Sequence, residues 1–379
     1  MMIIRSIKKQ IDKTLYKGKV VIIYGARRTG KTTLAKAILK EQEQLGKKTH
    51  YINCELLDAK RSLETTNEKL LKNYLGSNDI VVLDEAQNIE NIGLILKIIV
   101  DTYPEIQIIA TGSSSFDLSG KISEPLTGRK RAFILYPFSM LEIQNNSGFH
   151  EASAQLARAL VYGMYPPVYS LPDKETRLDL LEIASSYLYK DVLAFTQIKN
   201  SKVLIELLEL LALQVGNEVS YSEIAQKLGV SNHTVKKYID LLEKCFVVFP
   251  LRSFSRNLRN EINKSQKIYF YDLGIRNAII QNFNQLNLRP DRGALWENFC
   301  IIERLKHNQA KEIFANKYFW RMYSGQEIDY IEEKDGELTC YEFKHNSDAR
   351  VKRPTIFLEK YQAQSFAVIN SGNWFEFVL

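Results

Sequence analysis

Cysteine is scarce in this 379-residue chain, and the four present, Cys54, Cys245, Cys300 and Cys340, are scattered. Their spacing matches no paired metal-binding pattern, and their density is too low for a disulfide framework. The expectation is reduced core thiols in a cytoplasmic protein. Long apolar runs are missing too. No stretch approaches the ~20 residues that a membrane helix needs, so no membrane association is expected. The opening stretch Met1-Met2-Ile3-Ile4-Arg5-Ser6-Ile7-Lys8-Lys9 carries too short an apolar run to read as a signal peptide. Internal repeats and low-complexity tracts are also absent, which sets aside solenoids and disordered arrays. Neither sign of charge dominates: a net charge of +7 permits a polyanionic partner without demanding one. What remains is an ordinary globular composition, 45% hydrophobic and 25% charged, long enough for two or three domains.

Short β-branched runs at 20–24, 49–53, 80–83, 106–110 and 132–135 alternate with helical segments. Strands alternating with helices predict a parallel sheet covered on both faces, and nearly all-apolar runs suit strands buried on both sides. From 139 to about 213 helical periodicity takes over, interrupted at Pro166-Pro167 and Pro172. A helix-turn-helix pattern with an apolar ribbon follows at 219–251, and mixed helix and strand returns from 293 to 379. The predicted domains are 1–138, 139–200, 201–265 and 266–379.

The first run leads into Gly25-Ala26-Arg27-Arg28-Thr29-Gly30-Lys31-Thr32-Thr33 and then a helix. This is G-x-x-x-x-G-K-T in its required setting of strand, loop and helix. Glycines let the backbone curl so that N–H groups face phosphate oxygens, and the helix N-terminus adds a positive dipole end. Lys31 would reach the β and γ phosphates, and Thr32 would offer its hydroxyl to Mg²⁺. The run 80–83 ends in Asp84-Glu85, placing two carboxylates at the C-terminal end of a strand, where open α/β sheets bind ligands. Asp84 would hold Mg²⁺ through water, and Glu85 would orient or deprotonate the attacking water. At the end of the run 106–110, Thr111, with Ser113 next, would hydrogen-bond the γ-phosphate or that water. An ordinary strand-end turn reads nearly as well.

Gly25 to Thr33, Leu83-Asp84-Glu85-Ala86-Gln87 and Ala110-Thr111-Gly112-Ser113-Ser114 together resemble an AAA-type ATPase of a prokaryotic subgroup that carries a further C-terminal domain. Leu126-Thr127-Gly128-Arg129, Leu135-Tyr136-Pro137-Phe138-Ser139 and Tyr162-Gly163-Met164-Tyr165-Pro166 extend the resemblance along nearly the whole chain. It implies ATP and Mg²⁺ as ligands, a helical lid after the sheet, and Arg129 as an arginine finger toward a neighbouring subunit. A surface arginine is an equal reading of Arg129. Asp84-Glu85-Ala86-Gln87 also reads like a helicase box, but the helical stretch after 139 leaves no room for a second motor domain.

Within the helix-turn-helix pattern, Ser231 is placed to cap a helix whose buried stripe is Val235, Ile239 and Leu242. Asn232, His233, Lys236 and Lys237 are left facing outward, where a recognition helix reads a groove. The ribbon at 246–251 would form a wing, followed by Arg252, Arg256 and Arg259. From 226 to 267 there are nine Lys/Arg against three Asp/Glu, a phosphate footprint that makes DNA the expected partner. A spacer or protein-contact module is the competing reading.

Farther on, Asp335-Gly336 signals a two-residue hairpin. Its register sets 334 opposite 337 and Asp329 opposite Glu342, with Glu327 opposite Lys344. Like charges facing each other on a sheet repel, so the pair needs a cation. Two carboxylates and Lys344 on one face suit a divalent metal that activates water against a phosphodiester. Asp, about a dozen residues, then Glu-x-Lys, with Glu297 on a preceding helix, resembles the PD-(D/E)xK nuclease fold. By that resemblance Glu297, Asp329 and Glu342 are ligands of a second Mg²⁺ or Mn²⁺, and Lys344 assists catalysis. The fold class expected is thus α/β: a P-loop parallel sheet with helical lid, a winged helix-turn-helix, and a restriction-endonuclease-like domain. The expected function is ATP hydrolysis coupled to action on DNA, alone or as a homo-oligomer. The alternative is an ATP-driven switch that binds a protein partner, with the nuclease-like domain as inactive scaffold.

Overall fold

The computed structural model describes residues 3–112, 125–187, 201–256, 266–322 and 325–379. Ser113 and Arg259, singled out above, lie outside them. The chain divides into two compact units: Met1–Tyr136 with Lys244–Phe246, and Pro137–Glu243 with Val247–Leu379.

The first unit is a parallel sheet of β1 (Val20–Tyr24), β2 (Thr49–Asn53), β3 (Ile80–Asp84), β4 (Gln107–Gly112) and β5 (Lys130–Ile134), in the order β2-β3-β4-β1-β5. Its helices are α1 (Lys8–Asp12), α2 (Lys31–Gln44), α3 (Leu57–Leu63), α4 (Glu68–Leu75) and α5 (Ile92–Thr102). Each strand lies within a few residues of its predicted run. Val21, Ile23, Val82 and Ile109 are fully buried against Leu34, Ala35 and Ile38 of α2. That packing fixes the end of β1 against the start of α2, where the glycine-rich loop lies. Burying five or six such side chains stabilises this junction by about 10 kcal/mol before chain entropy is subtracted.

The second unit opens with α6 (Met140–Ser147), α7 (Phe149–Tyr162), α8 (Asp173–Tyr187) and α9 (Ser201–Leu213). A capping box of Ser139 and Glu142 starts α6. Then come β6 (Glu218–Val219), α10 (Tyr221–Leu228), α11 (Asn232–Lys244), β7 (Val248–Ser253), β8 (Gln266–Phe270) and α12 (Leu273–Ile279). The chain ends with α13 (Arg292–Ala310), β9 (Asn316–Arg321), β10 (Glu327–Lys334), β11 (Glu337–Phe343), α14 (Thr355–Tyr361), β12 (Ser365–Ile369) and α15 (Trp374–Val378). The strands form one seven-stranded mixed sheet, in the order β12-β11-β10-β9-β7-β8-β6. The boundary expected at 265/266 therefore falls inside a sheet, because β7 and β8 are paired antiparallel. The two halves of that sheet join where β7 meets β9 over two residues, Arg252 opposite Tyr318 and Ser253 opposite Phe319.

The β10–β11 hairpin has the expected register, from Lys334 opposite Glu337 to Tyr330 opposite Tyr341. Asp335 (φ 52°) and Gly336 (φ 84°) both take the left-handed conformation that a tight two-residue turn requires. On the other side of β10, the register against β9 shifts between Ile328 and Ile331. The irregularity falls on Asp329 and Tyr330, and such bulges re-aim side chains.

Candidate functional site

In the first unit the loop after β1 is pinned from behind. A Cβ at Gly25 would sit 2.4 Å from the carbonyl oxygen of Leu135, and Gly25 has φ 154°, so only glycine fits there. Arg5 donates to the carbonyl oxygens of Thr29 (2.8 Å) and of Tyr136, and Thr29 Oγ1 donates to that of Ala26 (2.9 Å). Lys31 is buried, with Nζ donating to the carbonyls of Gly25 (3.0 Å) and Ala26 (2.8 Å). The ammonium is thereby held at the loop rather than left to wander in solvent.

Asp84 is buried at the end of β3 and is ringed by hydroxyls. Thr32 Oγ1 donates to Oδ2 at 2.8 Å, Tyr51 OH to Oδ2 at 2.6 Å, and Thr111 Oγ1 to Oδ1 at 2.5 Å. Burial first, and then the bond to Asp84, hold the Tyr51 phenol above its usual range, so it stays a donor. Glu85 turns into the left-handed region (φ 53°) directly after β3. Its backbone N–H donates to Thr111 Oγ1 (3.0 Å), and its Oε2 accepts from Gln87 Nε2 (2.5 Å).

A hydroxyl has one proton to donate, and at Thr111 it goes to Asp84 while the oxygen accepts from Glu85 N–H. Thr111 thereby clamps the two acidic residues to each other. Arg129 also stands apart from the loop. Because β5 runs parallel to β1, with Lys130 opposite Val20 and Ile134 opposite Tyr24, Arg129 sits where the strands begin and the loop where they end. The length of the strand, about 13 Å, separates the two levels, so Arg129 does not serve its own loop. Its guanidinium Nε donates to Asp101 at 2.6 Å. Tyr51 and Arg5 are the site residues that sequence reasoning missed.

In the second unit, α11 carries Asn232, His233, Lys236 and Lys237 exposed on its first turns, above buried Val235, Tyr238, Ile239 and Leu242. Ser231 Oγ accepts from Thr234 N–H (3.1 Å) and so caps the helix. Lys267, counted above with the basic footprint, is instead buried at a pocket of about 340 Å³ lined by both carboxylates and cations.

That pocket is lined by Glu297, Glu327, Asp329, Lys267, Arg321 and Lys344, with Arg321 Nε 3.8 Å from Glu327 Oε2. Ligand oxygens of Glu327, Asp329 and Glu342 lie within 4.8 Å of one another. Glu297, expected as a ligand beside Asp329 and Glu342, lines the same pocket but is not among these three. Its Oε1 accepts from Lys267 Nζ (2.9 Å) and Tyr269 OH (2.5 Å). Glu327, placed by the hairpin register only as the residue opposite Lys344, is brought into the acid cluster. Lys344 Nζ lies 2.7 Å from Glu342 Oε1, while Glu342 Oε2 is buried with no hydrogen-bond partner among the described residues. Phe343 N–H donates to Asp329 Oδ2 (2.9 Å), and Lys267 Nζ lies 3.8 Å from Asp329 Oδ1.

The electrostatics follow from this crowding. Burial, then the charge of Glu297, pushes the Asp329 carboxyl up, with Lys267 pulling it back. Burial and Asp329 likewise push Glu342 up, against Lys344. Burial works against the Lys267 ammonium, but Glu297 and Asp329 outweigh it and hold its pKa above the usual lysine value. A buried carboxylate oxygen without a donor, in a set of three hard oxygen ligands, fits Mg²⁺ or Mn²⁺.

Residues 17–144 match a family model described as an AAA domain, so the first unit contains an AAA-type P-loop domain. Residues 153–286 and 292–376 match two models, each described as a domain of unknown function. An uncharacterized protein of Mycobacterium tuberculosis is 25% identical over 355 residues, 92% of this chain and 75% of that one. An uncharacterized protein of Methanocaldococcus jannaschii is 25% identical over 369 residues, 91% of this chain and 79% of its own. Among solved structures, a Walker-type ATPase of Pyrococcus abyssi is similar at 17% identity and TM-score 0.48, covering 73% of this chain and 94% of that one. Among the described residues no helix is long and apolar enough to cross a membrane.

Proposed function

We propose that the first unit binds ATP with Mg²⁺ and hydrolyses it. The observation that carries this reading is the ring of three hydroxyls on Asp84, one of them from Thr32 next to Lys31. Such a ring orients a buried carboxylate without adding charge. Thr32 and Asp84 would hold Mg²⁺, which offsets phosphate charge when it is bound. The loop from Gly25 to Thr33 would cradle the phosphates, with Lys31 turning its ammonium from the loop carbonyls toward them. Glu85, on the left-handed turn after β3, would position or deprotonate the attacking water. Arg129 would act only toward a neighbouring subunit in an oligomer. The test is phosphate release with Mg²⁺ by wild type, Lys31→Ala and Glu85→Gln. Undiminished turnover by Glu85→Gln would remove Glu85 from this role.

A second part of the reading concerns DNA and rests on the exposed Asn232, His233, Lys236 and Lys237 of α11. The helical pair α10–α11, followed by β7 and β8, would act as a winged helix that lays α11 against DNA. In the acid cluster, Glu327, Asp329 and Glu342 would hold a divalent cation, whose chemistry is to activate water against a phosphodiester. Lys344 would keep Glu342 oriented and meet the phosphate charge. Metal-dependent nicking of plasmid DNA, abolished by Glu342→Gln, is the expected result. No nicking by the wild-type protein would leave the second unit as scaffold in an ATP-driven switch.

A further inference from the structure

Lys267 is an unusual occupant of a metal pocket. Its side chain is 7% exposed, and its Nζ lies 2.9 Å from Glu297 Oε1 and 3.8 Å from Asp329 Oδ1. The ring of Phe319 flanks the ammonium, with the centroid 5.5 Å away. A buried ammonium survives only where anions compensate it, and here two carboxylates from different elements do so. Glu297 Oε1 is shared by Lys267 Nζ and Tyr269 OH, while its Oε2 lies beside Gly216, where a Cβ would come within 3.2 Å. Glu327, Asp329 and Glu342 meanwhile converge by themselves, and Glu342 Oε2 has no partner among the described residues.

We propose that Lys267 takes the part of a second metal ion. The pocket binds one divalent cation, between Glu327, Asp329 and Glu342, while Lys267 bridges Glu297 to Asp329 as a tethered cation. This rests on the reading above that the acid cluster binds a divalent metal. Lys267 is then a positioning residue, and Glu297 is its anchor instead of a ligand. Removing the ammonium without changing its bulk leaves Glu297 and Asp329 facing each other uncompensated, and a second ion should enter between them.

The experiment counts Mn²⁺ bound to the full chain without nucleotide, by calorimetry and by the electron-spin signal of free Mn²⁺. Stoichiometry is taken relative to Glu342→Gln, so that ions bound elsewhere cancel. The expected results are one ion for wild type, two for Lys267→Met, and one again for the double variant Lys267→Met with Glu297→Gln. Glu297→Gln alone keeps the lysine and should bind one ion within about threefold of wild-type affinity. Two ions in wild type, or one in a folded Lys267→Met protein, would overturn the proposal. So would a tenfold or greater loss of affinity in Glu297→Gln, which stays informative even where Lys267→Met does not fold. No ion at all in wild type would instead strike down the metal reading itself, and this inference with it.

Discussion

Asp84 and Asp329 are both buried aspartates on strands, yet their surroundings are built on opposite plans. Three neutral hydroxyls donate to Asp84. Asp329 has one backbone N–H, a lysine 3.8 Å away, and the acid cluster of Glu327 and Glu342 on its other side. Hydroxyl donors orient a carboxylate while leaving the local charge for the ligand to set. That suits a place where a cation arrives already paired with phosphates. A crowd of acids with one orphaned oxygen suits a place that recruits a bare cation.

The largest effect should come from breaking the first plan at its reacting end. Glu85→Gln should keep ATP binding within a few-fold and slow phosphate release by about 10²–10⁴, the range for loss of a general base. Lys31→Ala should weaken ATP binding by ~100-fold, because charge-assisted bonds to phosphate are lost. Single-turnover phosphate release and titration calorimetry separate the two.

The second plan breaks in a different direction. Folding raises the Glu342 carboxyl, through burial and then Asp329, so the folded state binds its proton more tightly than the unfolded state. The stability that this proton adds is present below the ordinary carboxylate range and is lost as pH rises toward and past neutrality. Metal-free Glu342→Gln should therefore melt above wild type at pH 8 and show little difference at pH 4. Added Mn²⁺ should raise the wild-type melting temperature at pH 8 and leave the variant unmoved. Equal melting temperatures across pH would show that Glu342 is not under charge stress.

Smaller effects sharpen the comparison. Changing Lys236 and Lys237 together to alanine should lower the salt slope of DNA binding by roughly 2, about 0.9 for each phosphate contact. An unchanged slope would take α11 off DNA. The least effect belongs to Tyr51→Phe, which removes one of three neutral donors from Asp84. A loss of about 1 kcal/mol, or several-fold in Mg²⁺-dependent ATP affinity, is expected from calorimetry.

What the sequence made legible was whatever is local along the chain. The loop from Gly25 to Thr32, and Asp84-Glu85 closing an apolar run, are contiguous signals read in one pass. The hairpin register was legible because Asp335-Gly336 fixes it from the turn outward. Tyr51 and Arg5 were not, since each reaches its site from another element: Tyr51 from β2 beside β3, and Arg5 from ahead of β1 to the loop beyond it. Thr111 was placed at the right strand end, but the destination of its one proton depends on where Asp84 sits. Lys267 misled most: its sequence neighbourhood is basic, while its spatial neighbourhood is acidic. Only the path of β8 past the pocket turns a surface-footprint residue into a buried counter-ion.

The central claim is that the first unit turns over ATP at the site built around Lys31, Asp84 and Glu85. The most direct measurement is Mg²⁺-dependent phosphate release from ATP by purified wild-type protein beside Glu85→Gln, with ATP binding followed in the same samples. The account predicts release by wild type and bound but unhydrolysed ATP in the variant. Equal release by both proteins, or no ATP binding by wild type, would contradict it.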